Sequence, residues 1–536
     1  MVMDGVNKNK GVGPLECVVL HPRDRRPLYQ QLAEGVAFQI RNLGLAPGTR
    51  LPALRDIAKS HGVALVTASQ AYEALAAEGL IASRTGRGTF VLSAAEAPHS
   101  NGRANVSSPP ARARDRDVEG GDAEASISRY GAQNRRVAAL QLLRWKVAPG
   151  AIALSNGHTA PETYPLPDFA RCYARTFLDD PAEIHQYRAD RGDERLRELF
   201  ADRLRARGAD VSPDDILIVS GAQQALSLVA ESFLEPGDFV AAEAPTYFAA
   251  LEVFDQRRVS WVNLAGDADG VKPASVRDGT KRFSPRLIYL NTAAHNPSGA
   301  FLSRSRHRAI LDAAAESKAV VVEDQTCWPL CFDGEAPPPL FASSDGANVV
   351  LIESLSKLLF PSLRIGYIAA RGAAMRSLYA AKLRADTFTT TVAQRALVRF
   401  LESKSAARHL RNARFLYRRR RDALLHALRR VVPEGTVVSA SRGGVNVWVE
   451  LPKGWSSVDL FGHAAREGLL FLPGAPFYPT MPAQNTLRLS YGTLPESAAS
   501  DAMARFGRAL RSYAAARRSG TRLAGDDAGR GIVAAV

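Results

Sequence analysis

Two folded domains of different class, joined by a linker, are predicted by the sequence. Residues 25–93 carry apolar side chains at helical spacing and then two short alternating strands, which predicts a small, mostly helical domain. Residues 146–516 alternate short apolar strands with longer helical patterns, which predicts a large α/β domain ending in a small α/β subdomain. Residues 94–145 are rich in Ala, Ser, Pro, Gly and Arg without apolar periodicity, so we expect a flexible linker, and residues 517–536 predict a disordered tail.

Composition is compatible with this organisation and narrows the class of protein. The chain has 536 residues, of which 46% are hydrophobic, enough for more than one core. Its formal net charge of +15 indicates either a nucleic-acid partner or an arginine-rich composition bias. Cys17, Cys172, Cys327 and Cys331 make no metal-ligand pattern, so no metal site is expected. Neither a signal peptide nor an apolar run long enough to cross a bilayer is visible, so we expect a cytoplasmic protein with no membrane partner.

The elements predicted for the first domain are three helices and a β-hairpin. The helices lie near residues 28–43, 54–61 and 66–78, and a glycine closely follows each of them. Two short strands around a glycine-containing turn, between Leu80 and Val91, predict the hairpin. Three helices and a hairpin are the plan of a winged helix-turn-helix, in which the third helix enters the major groove of DNA.

A set of short motifs occupies fixed positions along this segment. They are Pro47-Gly48, Leu51-Pro52-Ala53-Leu54-Arg55, Gly62-Val63, Ala71-Tyr72-Glu73-Ala74-Leu75, Gly79-Leu80-Ile81 and Gly86-Arg87-Gly88-Thr89-Phe90-Val91. In this order they resemble the DNA-binding domain of the GntR-type bacterial regulators, and the resemblance implies double-stranded DNA as the partner. The residues expected to contact phosphates or bases are Arg50, Arg55, Thr67, Ser69, Gln70, Arg84 and Arg87. The family often has Ser/Thr-Arg where this chain has Ala64-Leu65, so arginine is not expected to read bases there.

Polar residues follow five predicted strands of the large domain. The strands are expected at 216–219, 239–242, 287–290, 320–322 and 349–352. The residues that come after their carboxyl ends include Gly221-Ala222-Gln223, Tyr247, Asn296, Asp324 and Ser354-Leu355-Ser356-Lys357. Because ligands bind outside the carboxyl ends of the strands in open α/β sheets, we expect these residues to form one site.

One end of this predicted site suits an aldehyde cofactor that carries a phosphate. Lys357 can form a Schiff base with pyridoxal 5′-phosphate (PLP), while Ser354, Ser356 and Arg364 are donors for its phosphate. The glycine turn at Gly221, which opens a helix with Ala222 and Gln223, offers further backbone N–H donors.

The other end suits the ring of PLP and a substrate carboxylate. Asp324 can keep the ring nitrogen protonated, and Asn296 can donate a hydrogen bond to the 3-oxygen. Tyr247 can stack on the ring, or can be an ordinary core tyrosine. Arg488 is the lone charge in the alternating strand from Thr486. It can bind the carboxylate of an amino acid, or can point to solvent.

Taken in order, these residues resemble the motifs of fold-type I PLP proteins, the aspartate aminotransferase superfamily. The resemblance implies a fold-type I PLP-dependent transferase-like domain that binds PLP and forms a homodimer. It also implies that Tyr187 contacts the phosphate across the dimer interface. With the first domain included, the chain resembles the MocR-type subfamily of GntR regulators, in which a winged helix is fused to an aminotransferase-like domain.

One departure from the superfamily bears on function. A tyrosine that hydrogen-bonds the 3-oxygen of PLP normally follows the ring-nitrogen aspartate, and here Thr326 or Cys327 takes its place. We therefore predict a PLP-dependent, DNA-binding transcriptional regulator that senses an amine or amino acid, with little or no turnover. The alternative is an active PLP-dependent aminotransferase with an attached DNA-binding head.

A run of arginines lies on a predicted helix near the C-terminal end of the large domain. It comprises Arg408, Arg411, Arg414 and Arg418 to Arg421, interleaved with leucines and Phe415. We interpret it as a solvated or interface face of the small subdomain.

Overall fold

The computed structural model describes residues 27–42, 49–77, 80–84, 88–92, 150–179, 181–184, 191–344 and 348–519. The chain divides into two compact units, residues 1–119 and 120–536. The predicted linker, Arg87, Tyr187 and most of the predicted tail lie outside the described residues. Among the described helices, none is both long and apolar enough to cross a membrane.

The first unit consists of three helices and a hairpin. Its elements are α1 (Leu28–Asn42), α2 (Leu54–His61), α3 (Leu65–Ala77), β1 (Ile81–Arg84) and β2 (Gly88–Val91). The two strands pair antiparallel, with Ile81 opposite Val91. The predicted winged helix-turn-helix plan is therefore confirmed, with helix boundaries within a few residues of those expected from periodicity.

One small core holds these elements together. Leu32 and Val36 of α1 and Ile57 of α2 pack with the buried face of α3, which is made of Ala68, Ala71, Tyr72 and Leu75. The Tyr72 hydroxyl also donates a hydrogen bond of 2.9 Å to the Pro52 carbonyl, which ties α3 to the turn before α2. The opposite face of α3 is therefore left outside the core.

The second unit contains the larger set of helices. They are α4 (Leu166–Asp179), α5 (Pro181–Ile184), α6 (Glu194–Arg205), α7 (Ala222–Phe233), α8 (Phe248–Asp255), α9 (Pro273–Phe283), α10 (Arg304–Glu316), α11 (Gly372–Asp386), α12 (Thr391–Leu401), α13 (Lys404–Arg429), α14 (Ser457–Arg466) and α15 (Ala499–Ser519). Helix α15 runs three residues into the segment predicted as a disordered tail, because Ala509, Leu510 and Tyr513 anchor it to a buried core.

The strands of this unit form a large sheet and several small ones. They are β3 (Ile152–Ala153), β4 (Ile216–Val219), β5 (Phe239–Glu243), β6 (Ser260–Leu264), β7 (Gly266–Asp267), β8 (Gly270–Val271), β9 (Leu287–Asn291), β10 (Val320–Asp324), β11 (Val349–Ser354), β12 (Gly366–Ala369), β13 (Val437–Val438), β14 (Asn446–Glu450), β15 (Leu469–Leu470), β16 (Leu472–Pro473) and β17 (Thr486–Ser490).

The large sheet has seven strands in the order β4-β12-β11-β10-β9-β5-β6. All of them run parallel except β12, which pairs antiparallel with both of its neighbours. Alternate residues of each strand enter separate apolar cores on the two faces, as Ile218 and Val219 do. Helices such as α6 and α12 cover one face, while α7, α8 and α11 cover the other.

The small subdomain is built around the antiparallel sheet β13-β14-β17-β16. Helices α13 and α15 pack with this sheet in a third apolar core. The interpretation of the α13 arginines as a solvated or interface face is wrong for Arg420 and Arg421, which are only 4% and 6% exposed. Arg420 donates to the Gly492 carbonyl at 2.6 Å and pairs with Glu162. The periodicity of α13 did not reveal these two burials, because both partners come from distant parts of the chain.

Arg421 provides a stability test for this packing. Its guanidinium pairs with Asp333 and donates to the Ser441 carbonyl at 2.8 Å. We expect Arg421→Ala to lower the free energy of unfolding by about 2 kcal/mol, because a partly buried carboxylate loses one of its two arginine partners and a buried carbonyl loses its donor. The exposed Arg411 of the same helix is the control, and Arg411→Ala should stay within about 0.5 kcal/mol of the parent chain. Equal effects of the two substitutions in urea unfolding would contradict the assignment.

Candidate functional site

The carboxyl ends of five strands meet at one edge of the seven-stranded sheet. Strands β4, β5, β9, β10 and β11 all point the same way, because the one reversed strand, β12, sits between β4 and β11. Asp324 is the last residue of β10, and Gly221, Tyr247, Asn296 and Lys357 come after the ends of the other four strands. The structure therefore places the residues expected to hold PLP at a single edge of the sheet.

Donors suited to a phosphate-sized anion lie at the carboxyl ends of β4 and β11. Gly221 begins α7 with a φ of 85° and offers no side chain to cap the helix, which leaves the first-turn N–H groups for a ligand. Arg364 donates to the Ser220 carbonyl at 2.9 Å and lies beside Gly221. The Ser354 hydroxyl donates to that of Ser356 at 3.1 Å. Hydroxyls, a guanidinium and a helix N-terminus are thus available at one place.

Gly366 on the intervening strand permits this close approach. It pairs with Ser354 on one side and with Val219 on the other. A Cβ atom at Gly366 would lie 2.6 Å from the Glu353 carbonyl oxygen and 3.1 Å from the Gly221 Cα. Any larger residue would push β11 and β4 apart and would separate the hydroxyls from the start of α7.

Asp324 is a buried carboxylate held by two donors. Its Oδ2 accepts from the Tyr289 hydroxyl at 2.9 Å, and its Oδ1 accepts from the Thr326 backbone N–H at 2.9 Å. Burial raises the pKa of Asp324, and the hydrogen bonds from Thr326 and Tyr289 oppose that rise. A protonated ring nitrogen brought to this carboxylate would favour its charged form, so the residue fits PLP.

Tyr289 is a site residue that the sequence reasoning missed. It lies on β9 opposite Val322 of β10, two residues before Asp324. Diagonal neighbours on paired strands share a face of the sheet, which brings the hydroxyl to the carboxylate. Within the sequence Tyr289 looks like one more residue of a buried strand, and only the pairing register identifies its partner.

Lys357 points into the same region from the loop after β11. Its Nζ donates to the Gly157 carbonyl at 2.9 Å. Burial lowers the pKa of Lys357 and the positive charge of Arg488 lowers it further, whereas Cys327 opposes the shift. A larger fraction of the amine is therefore neutral near pH 7 than for an exposed lysine, which is the form that attacks an aldehyde.

Arg488 is buried, which excludes the solvent-pointing alternative. It is 3% exposed, and it donates from Nη1 to Asn296 Oδ1 at 3.2 Å and from Nη2 to the Ser155 carbonyl at 2.5 Å. Its Nε has no hydrogen-bond partner within the described ranges. Burial lowers the pKa of the guanidinium to about 10. A buried guanidinium held by neutral acceptors is suited to a ligand carboxylate.

Asn296 is oriented by this contact. Because a guanidinium can only donate, the amide oxygen faces Arg488 and the amide nitrogen remains a donor. This is the polarity that a hydrogen bond to the 3-oxygen of PLP requires. Tyr247 lies close enough to interact electrostatically with Asp324 and Arg488, and burial raises its pKa to about 12. Its phenol therefore stays neutral beside the ring position.

Thr326 and Cys327 follow Asp324 where the superfamily has a tyrosine, and neither of them carries a phenol. Burial raises the pKa of Cys327 to about 11, although the Lys357 amine opposes that rise. A thiol is a weak hydrogen-bond donor compared with a phenol.

The loop from Ser155 to His158, which contacts both Arg488 and Lys357, was not found from the sequence because it follows a strand of only two residues.

The residues expected to contact DNA are spread over the first unit. Arg50 is exposed next to the hairpin, where its side chain lies over Gly88, and Arg55 is exposed in the first turn of α2. Arg84 ends β1 opposite Gly88. Arg87, at the expected hairpin tip, lies outside the described residues and stays a prediction, as does the cross-dimer contact of Tyr187.

Three further candidates lie on α3. Gln70 is exposed, whereas Thr67 is partly buried. The Ser69 hydroxyl donates to Glu73 Oε1 at 3.0 Å, one turn further along the helix. That hydrogen bond uses the one donor of the Ser69 side chain. It also places the Glu73 carboxylate on the same face of the helix.

Comparison with known proteins identifies both units. The family model for aminotransferase class I and II matches residues 154–506, and the model for bacterial regulatory proteins of the gntR family matches residues 28–91. The HTH-type transcriptional regulator TauR of Rhodobacter capsulatus is 29% identical, over 93% of this chain and 99% of its own. The probable rhizopine catabolism regulatory protein MocR of Rhizobium meliloti is 27% identical, over 86% and 89%.

A solved structure resembles the second unit. It is LysN, an alpha-aminoadipate aminotransferase from Thermus thermophilus complexed with N-(5'-phosphopyridoxyl)-L-leucine. The two chains are 32% identical, and the match covers 73% of this chain and 99% of that one with a TM-score of 0.68.

The lowered pKa of Lys357 predicts how the chain takes up PLP. Only the neutral amine reacts, so the rate of uptake should rise with pH and level off above the pKa of Lys357. We expect the midpoint below the value of about 10.4 for a free lysine. Arg488→Gln removes a nearby positive charge and should move the midpoint to higher pH. Stopped-flow absorbance measures both rates, with the exposed Arg466→Gln on α14 as control. A midpoint unchanged by Arg488→Gln would contradict the coupling.

Proposed function

Since the chain belongs to the aminotransferase class I and II family and carries a gntR-type head, we propose that it is a MocR-type transcriptional regulator that senses an amine or amino acid. Relatives named as regulators share the whole arrangement, because TauR and MocR match over both units. The head is a DNA-binding domain and PLP is the cofactor of the second unit. As a bacterial-type regulator of transcription, it would act on DNA in the cytoplasm.

The second unit supplies the sensing chemistry. PLP, when bound, supplies an electrophilic carbon that captures a primary amine. Lys357 would carry the cofactor, with Ser354, Ser356, Arg364 and the start of α7 on its phosphate. Asp324, supported by Tyr289, would keep a proton on the ring nitrogen. These residues would hold the cofactor in place while an effector binds beside it.

The observation that carries the proposal is the buried Arg488 beside Lys357. A guanidinium in this position, bonded to one amide oxygen and one carbonyl, supports a ligand that has both an amine and a carboxylate. The contact between Asn296 and Arg488 orients the amide so that both the cofactor and the effector can be held. An amino acid therefore fits better than a simple amine.

Sensing would be transmitted to DNA through a homodimer. Fold-type I domains commonly pair, and two heads can then bind two half-sites of an operator. An effector that binds one conformation of the dimer more tightly shifts the population toward that conformation. The factor by which it changes the affinity for DNA equals the factor by which DNA changes the affinity for the effector.

The alternative is an active aminotransferase, which the presence of Lys357, Asp324 and Arg488 favours. The absence of a tyrosine after Asp324, where Thr326 or Cys327 takes its place, argues against efficient turnover. Incubation with an amino-acid panel and an oxo acid separates the two. Repeated turnover supports an enzyme, and a stoichiometric spectral change without turnover supports a sensor.

Sequence-selective DNA binding is the direct test. With PLP bound, the full chain should shift DNA from upstream of its own gene in the presence of excess nonspecific competitor. Lys357→Ala should lose the visible absorbance of the lysine-bound cofactor and still bind DNA, but effector should no longer change that binding. Failure of the parent chain to bind any DNA selectively, with or without PLP, would sink the regulator proposal.

Arg488 should discriminate between an amino acid and its decarboxylated amine. We expect Arg488→Gln to weaken the response to the amino acid by about 10- to 100-fold, because a charge-assisted bond to the carboxylate is lost. The response to the amine without a carboxylate should change little. Spectral titration measures both, with Arg466→Gln as control. Equal losses for the two ligands would refute the carboxylate role.

A further inference from the structure

Two large apolar side chains stand exposed on the first turn of α3. Leu65 is 47% exposed and Val66 is 67% exposed. Helix geometry places Leu65, Ser69 and Glu73 in one row, with Val66 beside them. Val66 points away from the core-facing residues Ala68, Ala71, Tyr72 and Leu75, whereas Leu65 lies at the edge of their side of the helix. Both side chains are large, apolar and open to a ligand.

Polar side chains follow the apolar pair one turn later, and Gln70 among them is exposed. The Ser69 hydroxyl is bonded to Glu73, one turn beyond Leu65. Apart from the partly buried Thr67, the side chains of the first turn are hydrocarbon.

The unit that carries the pair also exposes basic side chains. Arg50, Arg55 and Lys59 are exposed on it, against the exposed acidic residues Asp56 and Glu73. Basic side chains on this unit suit the phosphates on either side of a DNA groove. Two side chains are also too small an apolar area for a stable protein interface.

The chemical groups exposed in the major groove of DNA indicate what an apolar pair can bind there. In the major groove each base edge presents hydrogen-bonding groups, and the single apolar group is the 5-methyl of thymine. We propose that Leu65 and Val66 recognise thymine 5-methyl groups in the operator. This inference rests on the proposed DNA-binding function and adds the base that the recognition helix selects.

The proposal predicts a methyl-dependent affinity. Burial of one methyl-sized group corresponds to about a 4-fold change in binding. Each half-site should therefore contain one or two thymines whose replacement by deoxyuridine, which lacks only the methyl, weakens binding by that factor. Other thymines in the site should tolerate the replacement.

The experiment uses the full chain loaded with PLP. Its preferred sites are selected from a random duplex library, and each thymine is then replaced singly by deoxyuridine in anisotropy titrations. In Leu65→Ala and Val66→Ala the deoxyuridine penalty should disappear at the thymine that each side chain contacts. Leu166→Ala, which truncates a leucine that is 51% exposed in the second unit, is the matched control and should keep every penalty.

The outcomes separate this inference from the proposed function. If selection yields no preferred sequence, both fail. If the chain selects a sequence but every deoxyuridine replacement is neutral, the methyl contact is refuted while the regulator function stands. Penalties that persist in both alanine variants would also overturn the assignment. A normal far-UV circular dichroism spectrum and an unchanged salt dependence of binding in the variants show that folding and phosphate contacts are retained.

Discussion

The parallel direction of five strands is the constraint on which the second unit depends. Each strand ends at the same edge of the sheet, so residues from distant parts of the chain arrive there together. The bond from Lys357 to the Gly157 carbonyl joins residues 200 positions apart. The reversed strand β12 fits between β4 and β11 because Gly366 has no side chain to hold them apart.

Charges gathered at that edge are costly without a ligand. Asp324 and Arg488 are buried, and no ion pair links either to a residue in the described ranges. Burial raises the pKa of Asp324 and lowers the pKa of Arg488, so it favours the neutral form of each group. A ligand that brings a protonated ring nitrogen to one and a carboxylate to the other relieves both desolvation costs. The same two groups therefore couple ligand binding to the stability of the fold.

The two units differ in the number and arrangement of their apolar cores. The first is small, and its core is enough to fix three helices while one face of α3 remains outside it. The second has separate cores on the two faces of its sheet and a third under the small subdomain. In the second unit, no tyrosine stands at the two positions that follow Gln325, which are Thr326 and Cys327. The arrangement is consistent with a sensor built on an enzyme fold.

Local pattern alone predicted the class of both units, the strands that lead to the site, and the order of Gly221, Tyr247, Asn296, Asp324 and Lys357. Periodicity and strand-end position are properties of neighbouring residues, so the sequence by itself determined them. Only the tertiary structure decided that Arg488 is buried, that Tyr289 holds Asp324, and that Arg420 and Arg421 are not solvated. Each of these depends on a partner far away in the chain, and the burial of a side chain is set by whatever distant segment packs against it.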